Sequence, residues 1–253
     1  MELQELYKIW NDQYFGENMH EKEVINALPY LLRSAEVFVD VGASIGQYTF
    51  FGNKIMNNGK IYAIEADPLR FERLDKLCKE WEKSSTNKIF PIHAAAAESN
   101  TKVKFFITNS DRSGGFFPYS SPGKGHNWTE VSVESTTLDN LFEDLDPDLI
   151  KVDVEGGEYR VLQGAKEILN RRKCKFLIEI HPWGDPTINK KAGDIFNLFA
   201  NYGYDFKRIG RLWMFEKSDK PMKMFAKSMF MNIVMNNNTL RNIVKFIVKL
   251  LKK

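Results

Sequence analysis

Cysteine is scarce in this chain: Cys78 and Cys174 are the two in 253 residues. They stand far apart, with no second Cys or His at ligand spacing. That argues against a disulfide framework or a cysteine zinc site, and a reducing compartment is expected. No stretch reaches about 18 continuous apolar residues, so no spanning helix is expected. The segment Met1-Glu2-Leu3-Gln4-Glu5 is acidic and lacks the apolar core of a signal peptide. These absences together predict a cytoplasmic protein. Net charge is small as well, +3, too little to argue for a nucleic-acid partner. One absence is local. From Met222 to Lys253 there is no Asp or Glu, against seven Lys or Arg.

What is present is ordinary for a folded chain: 43% hydrophobic and 27% charged residues. The length suits one α/β domain with modest additions. Short apolar runs alternate with helical patterns. Helices are expected over 2–14 and 19–33. A strand follows at Val37–Val41, then a helix from Gly46 to Met56, with Gly59 as its left-handed cap. Further strands are expected at Lys60–Glu65, Lys88–Ala94, Leu149–Val154 and Lys175–Ile180. A hairpin is expected from 102–108 and 129–135, and a closing pair from 204–209 and 211–216. Helices are expected at Pro68–Lys83, Thr137–Glu143, Glu158–Asn170 and 187–202. The order predicts an α/β fold: a mostly parallel Rossmann-like sheet, helices on both faces, and an antiparallel last strand. Its parts divide as a helical segment 1–35, a ligand-binding domain 36–217 and a basic tail 218–253.

The most informative segment is Val39-Asp40-Val41-Gly42-Ala43-Ser44-Ile45-Gly46. A strand runs through two glycines into a helix. Glycine lets a ligand approach the backbone, and a helix N-terminus offers N–H groups to a carboxylate. The spacing is neither that of dinucleotide enzymes nor that of a P-loop. Asp40, just before the turn, suits a ligand amino group. Glu65 ends the next strand, 19 residues after Gly46, where a carboxylate accepts ribose hydroxyls. Together these features describe a nucleoside joined to an amino acid, with Gly42, Ala43, Gly46 and Ala66 beside it. His93 and Ala94 end the third strand, near the expected adenine edge.

Asp153 and Glu155 end a later strand, two residues apart, and on an ideal strand share a face. They suit either orientation of an acceptor hydroxyl or oxygen ligation of a divalent cation. Glu158 reads as the cap of its own helix. Glu179 and His181 likewise share a face, and a neutral His181 suits a general base for a hydroxyl proton. The alternative is a hydrogen-bonded strand-end histidine. His20 and His126 read as surface residues.

The same blocks resemble the FkbM family of class I methyltransferases. The resemblance rests on Val39 to Thr49, Ile64-Glu65-Ala66-Asp67-Pro68, Leu149 to Glu158 and Phe176 to His181, with Thr136-Thr137-Leu138-Asp139 before the third. It spans about 36–216. The block Lys151-Val152-Asp153-Val154-Glu155-Gly156 is its most distinctive part. Ser44, Ala66 and Gly157 depart from the residues common there. The resemblance implies S-adenosylmethionine as methyl donor and O-methylation of a saccharide or other small-molecule hydroxyl. A non-catalytic module retaining the fold, or an N- or lipid-head-group methyltransferase, is the alternative.

Two regions carry further expectations. The loop Asn109 to Trp128 holds Arg112, Phe116, Phe117, Tyr119 and His126, suited to stacking on sugar faces or to a bare hairpin tip. The tail 238–253 places Leu240, Ile243, Val244, Ile247 and Leu250 at helical spacing among lysines. It suits a membrane surface, or packing on the domain or on a second copy in a homodimer.

Overall fold

The computed structural model describes residues 3–15, 22–108, 114–118 and 128–242. The readings of Arg112, Tyr119, His20, His126 and 243–253 fall outside the described residues.

Seven strands form the main sheet: β1 (Val37–Val41), β2 (Lys60–Glu65), β3 (Lys88–His93), β7 (Leu149–Val152), β8 (Lys175–Ile178), β9 (Tyr204–Ile209) and β10 (Leu212–Lys217). Their order is β3-β2-β1-β7-β8-β10-β9. The first five are parallel, and β10 is antiparallel to both its neighbours. Strand order reverses between β1 and β7, which opens a crevice beyond their carboxyl ends. A second sheet joins β4 (Ala95–Ala96), β6 (Trp128–Thr136) and β5 (Lys102–Thr108) in the order β4-β6-β5. This is the expected hairpin, tied to the main sheet through the short β4.

Alternation along the strands supplies a core on each face. Val37, Val39 and Val41 turn toward one layer with Ile150, Val152 and Phe176. That layer includes α5 (Leu138–Leu141), α6 (Glu158–Gln163), α7 (Lys166–Arg171) and α8 (Asp194–Asn201). Phe38 turns the other way with Ile61, Leu149 and Leu177. They meet α1 (Leu3–Trp10), α2 (Lys22–Leu32), α3 (Gln47–Ile55) and α4 (Pro68–Glu82). Each fully buried side chain of this kind contributes roughly 1.5–3 kcal/mol. A last helix, α9, runs Pro221–Asn236. Both cysteines are buried and free.

Several boundaries differ from the sequence reading. The strand expected to Val154 ends at Val152, because Glu155 (φ 53°) and Gly156 (φ 104°) turn the chain. The strand expected to Ile180 ends at Ile178. The helix expected over Glu158–Asn170 breaks at Gly164, where a Cβ would stand 2.0 Å from the Ala97 carbonyl oxygen. Asp139 then accepts from the Glu167 and Ile168 amides and opens α7. The helix expected over 187–202 is a 3-10 turn at Pro186–Ile188, then α8; left-handed Asn189 separates them. Asn58, not Gly59, takes the left-handed position after α3. In the N-terminal segment α1 passes into a π turn at Asn11–Phe15.

Candidate active site

The glycine turn is built by close backbone approach. Gly42 (φ 72°), Ser44 (φ 54°) and Gly46 (φ 90°) are all left-handed. A Cβ on Gly42 would stand 1.9 Å from the Asp153 carbonyl oxygen. Gly46 is packed against Leu74 and Trp81. The turn's amides are engaged internally. Gly42 and Ala43 donate to the Ile64 carbonyl oxygen at 2.9 and 3.0 Å, and Ser44 to Glu65 Oε2 at 2.7 Å. The expectation that such amides await a ligand carboxylate therefore does not hold for these three.

Asp40 also differs from its sequence reading. It is wholly buried on the face of β1 opposite Val39 and Val41. Oδ2 accepts from the Thr49 amide and hydroxyl, at 3.0 and 2.8 Å. Oδ1 lies 3.3 Å from Lys151 Nζ. Lys151 is the direct cross-strand partner of Asp40. Alternation thus aims both charges into the same helix layer, where they neutralise each other. Asp40 holds the turn together instead of meeting a ligand.

Glu65 keeps its expected place. Oε1 accepts from the Asp67 amide at 2.8 Å, and Oε2 from Ser44. Burial raises its pKa, against the lowering effect of these amides and of Arg70. Arg70 Nη1 donates to Ser44 Oγ at 2.6 Å, bracing the same corner. Glu65 borders a narrow cavity with Gly42, Ala66, Ala94, Ala95 and Ala96 on one side. Phe105, Gly114 and Phe116 lie across it. Its volume is about 30 Å³, far below the roughly 300–1,000 Å³ of usual small-molecule sites. Phe116 must therefore shift for a nucleoside to enter. Of the cofactor residues expected, Gly42, Glu65, Ala66 and Ala94 line this cavity; Asp40, Ala43, Gly46 and His93 do not. His93 stacks on Phe71 at 4.7 Å and reaches the Ala66 carbonyl oxygen at 3.2 Å. The small-residue floor and the lone carboxylate match an adenosine in chemistry, not in volume.

Next to it, beyond β7 and β8, Asp153, Glu155, Glu158, Glu179 and His181 converge. Asp153, Glu155 and His181 each turn one ligand atom inward, all within 4.8 Å of one another. They do not share a face as strand neighbours. Left-handed Glu155 brings its carboxylate round, at a cost of roughly 1–2 kcal/mol. Glu158 is no mere cap. It is 1% exposed, and its Oε1 lies 2.7 Å from His181 Nδ1 while accepting from the Gly156 amide at 2.9 Å. Spacing alone could not reveal this pair, since 23 residues separate them.

Charge sets the protonation. Burial alone would lower the pKa of His181, but Glu158, by charge and hydrogen bond, with Asp153 and Glu155, raises it to about 10. The surrounding carboxylates thus favour the protonated imidazole, whereas the sequence reading took a neutral base. Burial and Asp153 raise Glu179 to about 7, against Arg211.

Residues 40–206 match the methyltransferase FkbM domain. The chain belongs to the FkbM methyltransferase family. Among curated proteins, it is 27% identical over 190 residues to the hexuronic acid methyltransferase AglP of Haloferax volcanii, covering 73% of this chain and 71% of that one. Among solved structures, the FkbM methyltransferase of Methylobacillus flagellatus matches with TM-score 0.49 and 18% identity, over 72% of this chain and 43% of that chain. The chain thus spans under half the length of that structure. Aeropyrum pernix fibrillarin in complex with S-adenosyl-L-methionine matches with TM-score 0.42 and 13% identity, over 78% and 74% of the two chains. Among the described residues no helix is long and apolar enough to cross a membrane.

Proposed function

We propose that this FkbM methyltransferase transfers a methyl group from S-adenosylmethionine to a saccharide hydroxyl. One observation carries the reading. The cavity beside Glu65 and the carboxylate–imidazole cluster meet at Gly42, whose missing Cβ admits the Asp153 carbonyl oxygen. Cofactor floor and acceptor cluster are thereby held edge to edge. The acceptor class is supported by AglP, whose name records a hexuronic acid methyltransferase.

S-adenosylmethionine, when bound, supplies an electrophilic methyl on its sulfonium. This chain's residues do the rest. Glu65 accepts the ribose hydroxyls, and Ala66, Ala94 and Ala95 leave a flat apolar surface beside them. The carboxylates of Asp153 and Glu155 fix the line of approach of the acceptor hydroxyl, and one of them takes its proton as the C–O bond forms and the S–CH₃ bond breaks, leaving S-adenosylhomocysteine. Methyl transfer is an in-line displacement, and such positioning dominates its rate. Trp183, 41% exposed and 4.8 Å from the His181 ring, offers a face for a sugar.

Glu65→Gln is expected to weaken cofactor affinity roughly 10- to 100-fold, from the 1.5–3 kcal/mol of a charged hydrogen bond. Isothermal titration with S-adenosylhomocysteine measures it, and an unchanged affinity would remove Glu65 from the site. Incubation with methyl-labelled cofactor and uronic-acid oligosaccharides tests the acceptor. Label recovered on an amine or a lipid head group, and none on sugar oxygen, would overturn the saccharide assignment.

A further inference from the structure

Around His181 three side chains follow one rule: His181, Glu179 and Asp153 each have a partner on one atom and present another to a common centre. His181 Nδ1 is fixed by Glu158 at 2.7 Å. Glu179 Oε2 takes two hydrogen bonds from Arg211, at 2.8 and 3.1 Å. Asp153 Oδ2 lies 3.7 Å from Lys151 Nζ. The opposite atoms converge. His181 Nε2 is 3.3 Å from Glu155 Oε2, 3.8 Å from Glu179 Oε1 and 4.0 Å from Asp153 Oδ1.

Donor atoms at about 2.0–2.2 Å from one ion stand about 3–4.3 Å from one another. The separations from Nε2 fall in that range. A second observation is independent of the carboxylates. The His181 side chain is only 8% exposed, and is aimed into the cluster by a buried carboxylate on its far nitrogen. Metal-ligating histidines are oriented in this way, because the outer hydrogen bond fixes the ring and its donor atom. Charge points the same way. Three carboxylates face inward, and the two cations beside them, Arg211 on Glu179 and Lys151 shared between Asp153 and Asp40, lie on the outer oxygens.

We propose that Asp153, Glu155 and His181, completed by Glu179, form a divalent cation site at the mouth of the β1–β7 crevice. Three carboxylate oxygens and one imidazole suit Mn²⁺ or Mg²⁺ better than ions that prefer thiolates. The cation takes the centre that these inward atoms define, with His181 Nε2 as its one nitrogen donor. Its function rests on the methyltransferase reading: it binds the acceptor hydroxyl and lowers that group's pKa. Its binding does not rest on that reading.

The test uses the whole chain, freed of metal with EDTA and titrated with MnCl₂ without cofactor or acceptor. The electron paramagnetic resonance signal of free Mn²⁺ reports the bound fraction. One ion per chain is expected, displaced by excess MgCl₂. Glu155→Gln, a change at a partly exposed side chain, should weaken Mn²⁺ binding at least tenfold. Glu158→Gln, one step removed from the ion, should weaken it roughly 10- to 100-fold. Circular dichroism checks that both variants fold. No bound Mn²⁺, or binding that both folded variants retain in full, overturns the site. With Mn²⁺ bound and sensitive to Glu155→Gln, the site stands even if no saccharide is methylated; that result falls on the function proposed above.

Discussion

Lys151→Met is expected to cost about 3–5 kcal/mol of folding stability, far more than a change at an exposed lysine. The estimate follows from what the substitution leaves behind: a buried carboxylate deprived of its counter-charge. Asp40 is 0% exposed, and Lys151 Nζ stands 3.3 Å from it across the β1–β7 ladder. The same ammonium donates to the Gly42 carbonyl oxygen at 3.2 Å and lies over the Tyr48 ring at 4.7 Å. Its loss therefore loosens the glycine turn as well as the strand pair. The double variant Asp40→Asn, Lys151→Met should recover a large part of the loss, since it removes the stranded charge. Urea denaturation measures both. A loss below about 1 kcal/mol for the single variant would mean that water reaches Asp40, and the structural role given to it would fail.

Gly42→Ala should be nearly as damaging, and at the site itself. Its φ of 72° strains any L side chain. The added Cβ would meet the Asp153 carbonyl oxygen at 1.9 Å and its carbon at 2.9 Å. These are backbone atoms held by the Asp153 amide's bond to the Val41 carbonyl oxygen, 3.1 Å, so they cannot turn aside. The strand ends must part. A cost of about 2–5 kcal/mol is expected, with no measurable cofactor binding even where the variant is folded. Gly157→Ala is the control. Its Cβ crowds the Phe116 ring, at 2.6 and 2.9 Å, and touches Val154 Cγ2 at an ordinary 3.5 Å; a ring can swing. That variant should keep its stability within about 1 kcal/mol. Equal losses at the two glycines would show that crowding of the strand ends is not what Gly42 prevents.

Much of the site was legible because its elements are local. The glycine turn, the carboxylate at the end of β2 and the small residues after β3 follow one another along the chain at strand and helix spacings. Glu65, Gly42, Ala66 and Ala94, expected together on that basis, line one cavity. Asp40 does not. A lone acid before a glycine turn reads as ligand-binding when its neighbour across the ladder is unknown, and that neighbour lies 111 residues on, at Lys151. Glu158 was misread for the same reason: a carboxylate at a helix start is usually a cap, and only the packing of the β8 end against α6 reveals His181 beside it. Phe116 was noticed in the sequence as a loop aromatic. Its position across the Glu65 cavity depends on the β5–β6 hairpin folding over the sheet.

Period and punctuation along the chain determined the class of fold, the run of its strands and the glycine turn after β1, because hydrophobic alternation and glycine conformation act within a few residues. The tertiary structure decided which charges meet. Partnering of Asp40 with Lys151 and of Glu158 with His181, and the gathering of four side chains at the end of β7 and β8, arise from sheet register and layer packing. Those depend on the whole chain closing on itself, and no short window of residues contains that information.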